Sequence, residues 1–495
     1  MPAVEHYPII IVASLLLFAF VMPLLHIWKR NWCEVVAIFA MAFAFVLSLL
    51  LVVEVSLNGV FTYHMGEWAP PWGIEFKASY LSTYMLTVLY GVGLLILIYG
   101  IGDLKKELAE RVMGWYFTLY LLLMGAMAGM ALTNDLFNLF VFMEIVAISA
   151  CAIISIKEDR ECLEASFKYL ILSAMGTGCY LLSVAMIYMI TGYMNLDMVG
   201  EALAVGLEEY PFNVLVAMSL MVVSFGVKSA LFPLHVWLPD AHASAPSPSS
   251  AVLSGLVIKI YAVALVHLMF RAFPQELFSD VPMAEIILWL STLGILFGSI
   301  FAMVQENFKK MLAYSSIAQI GYVFMGIGLF HPIALLGGLL HILNHAIMKS
   351  MLFMVAGIII YTSGLKRLRD FDGIGNRLRW PMIAFIIGSA SMVGIPMTGG
   401  FISKWYLAMG ALEVDRPFFV IIIVISSLLN AVYYMPITIN AFMAEQKRED
   451  ITFKPVLKSM LIPVMILAGL VIFFGLYPGP VVGLLESATE ALFEQ

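Results

Sequence analysis

Lys228, Lys259, Lys349 and Lys404 each lie inside a long apolar stretch. A lysine at a bilayer centre costs about 2.5–3.5 kcal/mol on insertion scales. Four of them together cost as much as the net stability of an ordinary domain, about 5–15 kcal/mol. A chain keeps such groups where it gives them partners, water or a task. The fold must therefore be a helical bundle with polar points in its interior.

The chain has 495 residues, 62% of them hydrophobic and 12% charged, which excludes a soluble or disordered protein. A spanning helix needs about 20 apolar residues. On that basis the stretches 8–27, 33–53, 79–100, 113–130, 135–156, 169–190, 213–232, 248–270, 282–304, 313–330, 332–360, 380–410, 417–442 and 459–477 read as 14 spans. The turns near 130–135 and 330–332 are very short hairpins. The first span follows a segment with Glu5 and no Lys or Arg, so it reads as a retained helix and not a signal peptide.

Basic residues test this map independently. Every Lys and Arg outside the apolar stretches falls in a loop after an odd-numbered span, except Lys77, Arg271 and Arg416. By the positive-inside rule those loops are cytoplasmic and both termini face the other side of a prokaryotic plasma membrane. The basic loop 361–379 suits lipid headgroups or a docking partner.

Glu144 lies near the middle of the fifth span, in LFNLFVFMEIVAIS. Burial disfavours a charged form, and a nearby opposite charge restores it. Lys228 lies in the seventh span, ahead of Pro233 and Pro239, which predict a break near 232–240. Such breaks are tolerated in membranes where they line a cavity or are shielded by protein. Lys259 lies close to the middle of the eighth span, too deep to snorkel. Lys404 follows Pro396, Gly399 and Gly400 in the twelfth span, a second predicted break beside a lysine.

His341, His345 and Lys349 recur every four residues on one face of the eleventh span. The stripe suits a proton relay, since imidazole exchanges protons near neutral pH. No third ligand completes a metal set with the two histidines, so no metal is expected. Lys349 is either part of the relay or a structural ion-pair partner. His235 and Asp240 flank a proline-rich turn, where Asp240 either caps a helix half or helps protons in. The four cysteines show no paired spacing. No nucleotide-binding or nucleophile motif occurs, and no nucleic-acid partner is expected.

The segments KSALFPLHVWLPDAHASAPSPSS, KIYA, ENFKKMLAYSSIAQIGY, HILNHAIMK and GIPMTGGFISKW follow one another in this order. Together they resemble the antiporter-like subunits shared by Mrp cation/proton antiporters, respiratory complex I and membrane-bound hydrogenases. The resemblance leans to the Mrp D type and its relatives in hydrogenase and sulfur-reductase complexes, with the complex I N or M type as the alternative. It implies an all-α polytopic fold of about 14 helices, with two inverted five-helix repeats at 113–270 and 282–442 and with spans seven and twelve broken. Residues 1–112 and 443–495 would flank them. It implies an ion-translocating subunit without cofactor or redox chemistry of its own, working beside other membrane subunits on protons and in some relatives Na⁺. The proton line would fall on Glu144, Lys228, Lys259 and Lys404, with His341 or His345 between. A single-chain antiporter and a structural scaffold are the competing readings.

Overall fold

The computed structural model describes residues 4–29, 32–274, 277–278, 282–445 and 453–494. The chain is a bundle of helices. They are α1 (Tyr7–Trp28), α2 (Trp32–Asn58), α3 (Tyr80–Glu107), α4 (Met113–Leu132), α5 (Leu136–Ser155), α6 (Arg160–Thr191), α7 (Leu196–Glu209) and α8 (Pro211–Lys228). Then come α9 (Leu238–Ser244), α10 (Ser247–Val252), α11 (Ile258–Arg271), α12 (Met283–Met303), α13 (Phe308–Gly328) and α14 (Pro332–Ser363). The rest are α15 (Arg379–Val393), α16 (Gly399–Glu413), α17 (Pro417–Met443), α18 (Lys458–Leu476) and α19 (Gly479–Phe493). Among the described residues, 13 helical segments are long and apolar enough to cross a membrane. The stretch read as a twelfth span is two 15-residue helices, α15 and α16, each too short for that test.

Local sequence sets the ends. Asp135 caps α5 by accepting from the Asn138 amide at 2.7 Å, and Asn307 caps α13 through the Lys310 amide at 3.2 Å. These caps permit hairpins of a few residues, because the first amides of a helix need acceptors. The α8 helix stops at Lys228, and the chain is helical again only from Leu238. The interruption at 229–237 thus begins ahead of Pro233. Ala230 turns the backbone there at φ +59°, a region L-residues rarely adopt. Met397, between α15 and α16, does the same at φ +70°. The eighth span is continuous from Ser247 to Arg271 but carries a π-turn over Leu253–Val257.

Several elements lie outside the predicted spans, α9 among them. The amphipathic helix α7 lies on the face opposite the basic loops, and α19 occupies the acidic tail. A two-stranded hairpin pairs Phe61–His64 with Glu75–Ala78. Arg271, at the end of α11, joins these parts. It meets Asp197 of α7 at 2.6 Å, and Lys77 meets the same carboxylate at 2.9 Å. Asn195 donates to Glu75 at 2.9 Å, and Asn134 donates to Asp197 at 3.0 Å. Partial burial raises the Asp197 carboxyl, but Arg271 and Lys77 outweigh burial and hold it well below the usual carboxylate range.

Helices α14 and α16 touch through glycines. A β-carbon on Gly337 would lie 2.6 Å from the Leu407 amide nitrogen, and one on Gly410 would lie 2.5 Å from that of Ala334. Gly337→Ala and Gly410→Ala should each destabilise the purified complex by about 1–3 kcal/mol through overpacking. Gly469→Ala, with open space at the β-carbon, should leave the thermal midpoint unchanged. For Asp197 the sign follows from a depressed folded value. Its stabilisation is complete above the unfolded value of about 3.9 and disappears as pH falls through the folded one. The gap in thermal midpoint between wild type and Asp197→Asn should be constant from about pH 8 to pH 5 and shrink below about pH 4.

Candidate functional site

Lys228 is the last residue of α8, where the helix dipole favours a cation. Its side chain is 1% exposed, and its Nζ lies 3.6 Å from Glu144 Oε1 of α5. It donates to Ser173 Oγ at 3.0 Å and stands 5.5 Å from the Tyr261 ring centre. Glu144 also accepts from Thr177 Oγ1 of α6. Its side chain is 33% exposed, on a face with Phe137, Val141 and Ile148 that the chain leaves uncovered. The carboxylate is thus held by a lysine and a hydroxyl and is open on its far side.

Lys259 is fully buried in α11 and donates to the Ser254 carbonyl in the π-turn. There Ser254 also meets Ser316 of α13 at 2.8 Å. Among the described residues, neither ring nitrogen of His345 has a hydrogen-bond partner. His345 is within electrostatic reach of Lys259 and Lys349, and its ring stacks 5.9 Å from that of His341. His341 is fixed at both nitrogens, by Ser403 at 2.9 Å and Gln319 at 3.0 Å. The Tyr322 ring lies 5.3 Å from His341 and 4.9 Å from Lys404 Nζ.

Lys404 donates to the Met392 carbonyl at 2.9 Å, the Val393 carbonyl at 3.1 Å and Ser427 Oγ at 3.0 Å. Those two carbonyls end α15, so the interruption frees the acceptors that the lysine needs. Lys349 leaves the histidine stripe and turns to α13 and α17. It meets the Leu312 carbonyl at 3.0 Å, Ser315 and the Tyr434 hydroxyl at 3.4 Å.

Thus Glu144 and Lys228 come together, and Lys259, His345, His341 and Lys404 form a second line. No direct contact joins Lys228 to Lys259 among the described residues. Asp240 does not cap a helix. It sits in the first turn of α9 and clamps Lys168 at 3.1 Å and Lys310 at 3.0 Å. His235 stacks on Phe232 at 5.2 Å, away from both lines. Lys309, read as a loop cation, is a fifth buried lysine and donates to the Ala245 carbonyl at 2.6 Å. Its place just after the Asn307 cap is the signal that could have found it. Gln319 and Tyr322 also escape a sequence reading, because an uncharged residue in a span gives no such signal. Among the described residues no three His, Cys, Asp or Glu side chains converge as a metal set would.

Buried cations beside helix interruptions in a polytopic bundle define an antiporter-like membrane protein. Residues 133–430 match the family described as NADH:quinone oxidoreductase/Mrp antiporter, TM, and the chain belongs to it. It is 37% identical over 428 residues to the N subunit of the NADH-quinone oxidoreductase of Desulforudis audaxviator (strain MP104C), covering 84% of each. It is 31% identical over 451 residues to the D-type polypeptide of the Na(+)/H(+) antiporter of Alkalihalophilus pseudofirmus, covering 90% of this chain and 89% of that one. A chain of the membrane-bound sulfane sulfur reductase, an archaeal respiratory membrane complex, superposes with TM-score 0.90 and 29% identity, over 98% of this chain and 97% of the other. A chain of the Mrp complex from Dietzia sp. DQ12-45-1b shares the fold at TM-score 0.90 and 22% identity, over 100% and 98%.

Lys404→Met should strand the Val393 carbonyl, while the Met392 carbonyl keeps Asn430 Nδ2 at 3.1 Å. An unmet buried acceptor costs about 1–3 kcal/mol, so the thermal midpoint of the assembled complex should drop. Ser427→Ala, which removes one hydroxyl acceptor and leaves the carbonyls served, should cost less.

Proposed function

We propose that the chain is a proton- or cation/proton-translocating subunit of a multi-subunit membrane complex. The Mrp D type and the sulfane sulfur reductase type fit best. The observation that carries this is Lys228, sealed from solvent where α8 stops, 3.6 Å from the half-open Glu144. In this reading the pair is the switch. An adjacent carboxylate stabilises the ammonium, and withdrawal of the carboxylate releases its proton. The two groups titrate as one coupled system. The proton then passes through water beside Tyr261 to Lys259, along His345 and His341, and to Lys404. The direction of travel follows from which side Glu144 swings toward.

The basic loops support a cytoplasmic placement of their face, with both termini opposite and the plasma membrane as the site. The interruptions after Lys228 and before Lys404 support two inverted repeats, 113–270 and 282–442, between flanking segments 1–112 and 443–495. The uncovered face around Glu144 favours a neighbouring subunit over a chain working alone, because a carboxylate facing lipid is costly. A second reading, a pumping N- or M-type component of a NADH-quinone oxidoreductase, is favoured by the 37% identical N-type relative.

In assembled complexes, Lys228→Ala and Glu144→Gln should each lower translocation by about a hundredfold, the usual scale for loss of a proton-transfer group. Dye-reported pH gradients in inverted vesicles measure this, normalised to complex content on native gels. Wild-type transport per assembled complex in both variants would sink the reading. A Na⁺ pulse that dissipates the gradient favours exchange, and insensitivity to Na⁺ with quinone-linked pumping favours the second reading.

A further inference from the structure

A cavity of about 740 Å³ opens on the face that carries the basic loops, with Glu107, Lys157, Asp240, Lys309 and Lys310 in its walls. Glu107 is the last residue of α3, outside both proposed repeats. Its carboxylate takes Lys157 at 2.5 Å and the Ser247 hydroxyl at 3.0 Å. One turn deeper on the same helix face is Asp103, and one turn deeper again is Tyr99. Asp103 is 1% exposed; Ser247 serves its carboxyl, and among the described residues its Oδ2 has no hydrogen-bond partner. The Tyr99 hydroxyl is also buried without a partner, at the spot where a β-carbon on Gly357 of α14 would collide with it.

A purely structural carboxylate at this depth is expected to have its acceptors met, because an unmet one costs about 1–3 kcal/mol. Asp103 instead keeps a free oxygen beneath a charged, water-accessible cavity. Two further groups lie near it, Lys309, itself in the cavity wall, and His242. Lys309 of α13 is within electrostatic reach of Asp103 and Glu107. His242 of α9 is fully buried, within electrostatic reach of Lys259, Lys309 and Lys349. The charged and titratable groups around Asp103 are Glu107 and Tyr99 of its own helix, Lys157 beyond α5, Tyr116 of α4 and Lys309 of α13.

We infer that Asp103 is the proton-collecting group of this cavity, handing protons through Lys309 and His242 to Lys259. A hydronium ion in the cavity gives its proton to Glu107 in the cavity wall and leaves as water, and the proton passes from Glu107 to Asp103 Oδ2, one O–H bond breaking for each that forms. The bond on Oδ2 breaks as the proton moves inward, and the carboxylate is regenerated. No electron moves. The inference rests on the translocation reading above and adds an intake on a helix that the proton line through Glu144, Lys228, Lys259 and Lys404 does not use.

The test uses the assembled complex in proteoliposomes. Asp103→Asn should assemble normally and translocate protons about a hundredfold more slowly. Formate, a small weak acid able to carry protons into the cavity, should restore much of the rate, and Asp103→Glu should stay close to wild type. In the wild-type complex, dicyclohexylcarbodiimide should modify Asp103, as seen by peptide mass spectrometry, and should inhibit turnover. Wild-type rates in an assembled Asp103→Asn complex overturn the inference. So does a slowed variant that formate does not restore, since that marks a structural carboxylate. If the variant does not assemble, absence of the carbodiimide adduct at Asp103 overturns it. Lys228→Ala run in parallel separates the two readings. Loss in Lys228→Ala with none in Asp103→Asn removes only the intake, and loss in neither removes the translocation reading as well.

Discussion

An ammonium group in hydrocarbon needs oxygen around it, and an interrupted helix has carbonyl oxygen to give. That exchange organises this protein. Lys404 sits on the last carbonyls of α15, Lys259 on a carbonyl of the π-turn, and Lys309 on the carbonyl between α9 and α10. Lys349 takes a carbonyl of α13 with two hydroxyls to help. The irregular backbone and the cations meet each other's needs, so neither is a defect to be explained alone.

Lys228 is the exception, and its exception gives it a different part. Its partners are a serine hydroxyl and the Glu144 carboxylate. Carbonyls are fixed by the helices that hold them, whereas a carboxylate on a side chain can leave. The four carbonyl-bound lysines therefore keep fixed partners, whereas Lys228, outside that set, pairs with a side-chain carboxylate. In the translocation reading proposed above, a switch at Lys228 gives the line a controlled point without motion of the whole bundle.

The sequence displays much of this arrangement and hides the rest for physical reasons. Lys228, Lys259, Lys349 and Lys404 stand out because apolar neighbours surround them on both sides. Lys309 does not, because it shares a KK pair with Lys310 at a helix start and reads as an interfacial cation. Asp103 and Glu107 are hidden in the same way by Lys105 and Lys106, which occupy the other face of the same turn. Asp240 shows the limit of local reading. Its turn suggests a cap, but its partners, Lys168 and Lys310, come from α6 and α13, and no local pattern announces them. The pairing of Asp197 with Arg271 also spans distant segments, so nothing near α7 in the chain announces that it docks.

The uncovered face of α5 has an evolutionary consequence. Phe137, Val141 and Ile148 are exposed like residues free to drift, yet they share a surface with the Glu144 carboxylate. Whatever seals that surface sets the polarity Glu144 experiences. Substitutions there would therefore retune the proposed switch without touching it, and the neighbouring surface would have to change in step. The protein's most permissive-looking positions thus become a record of the company it keeps.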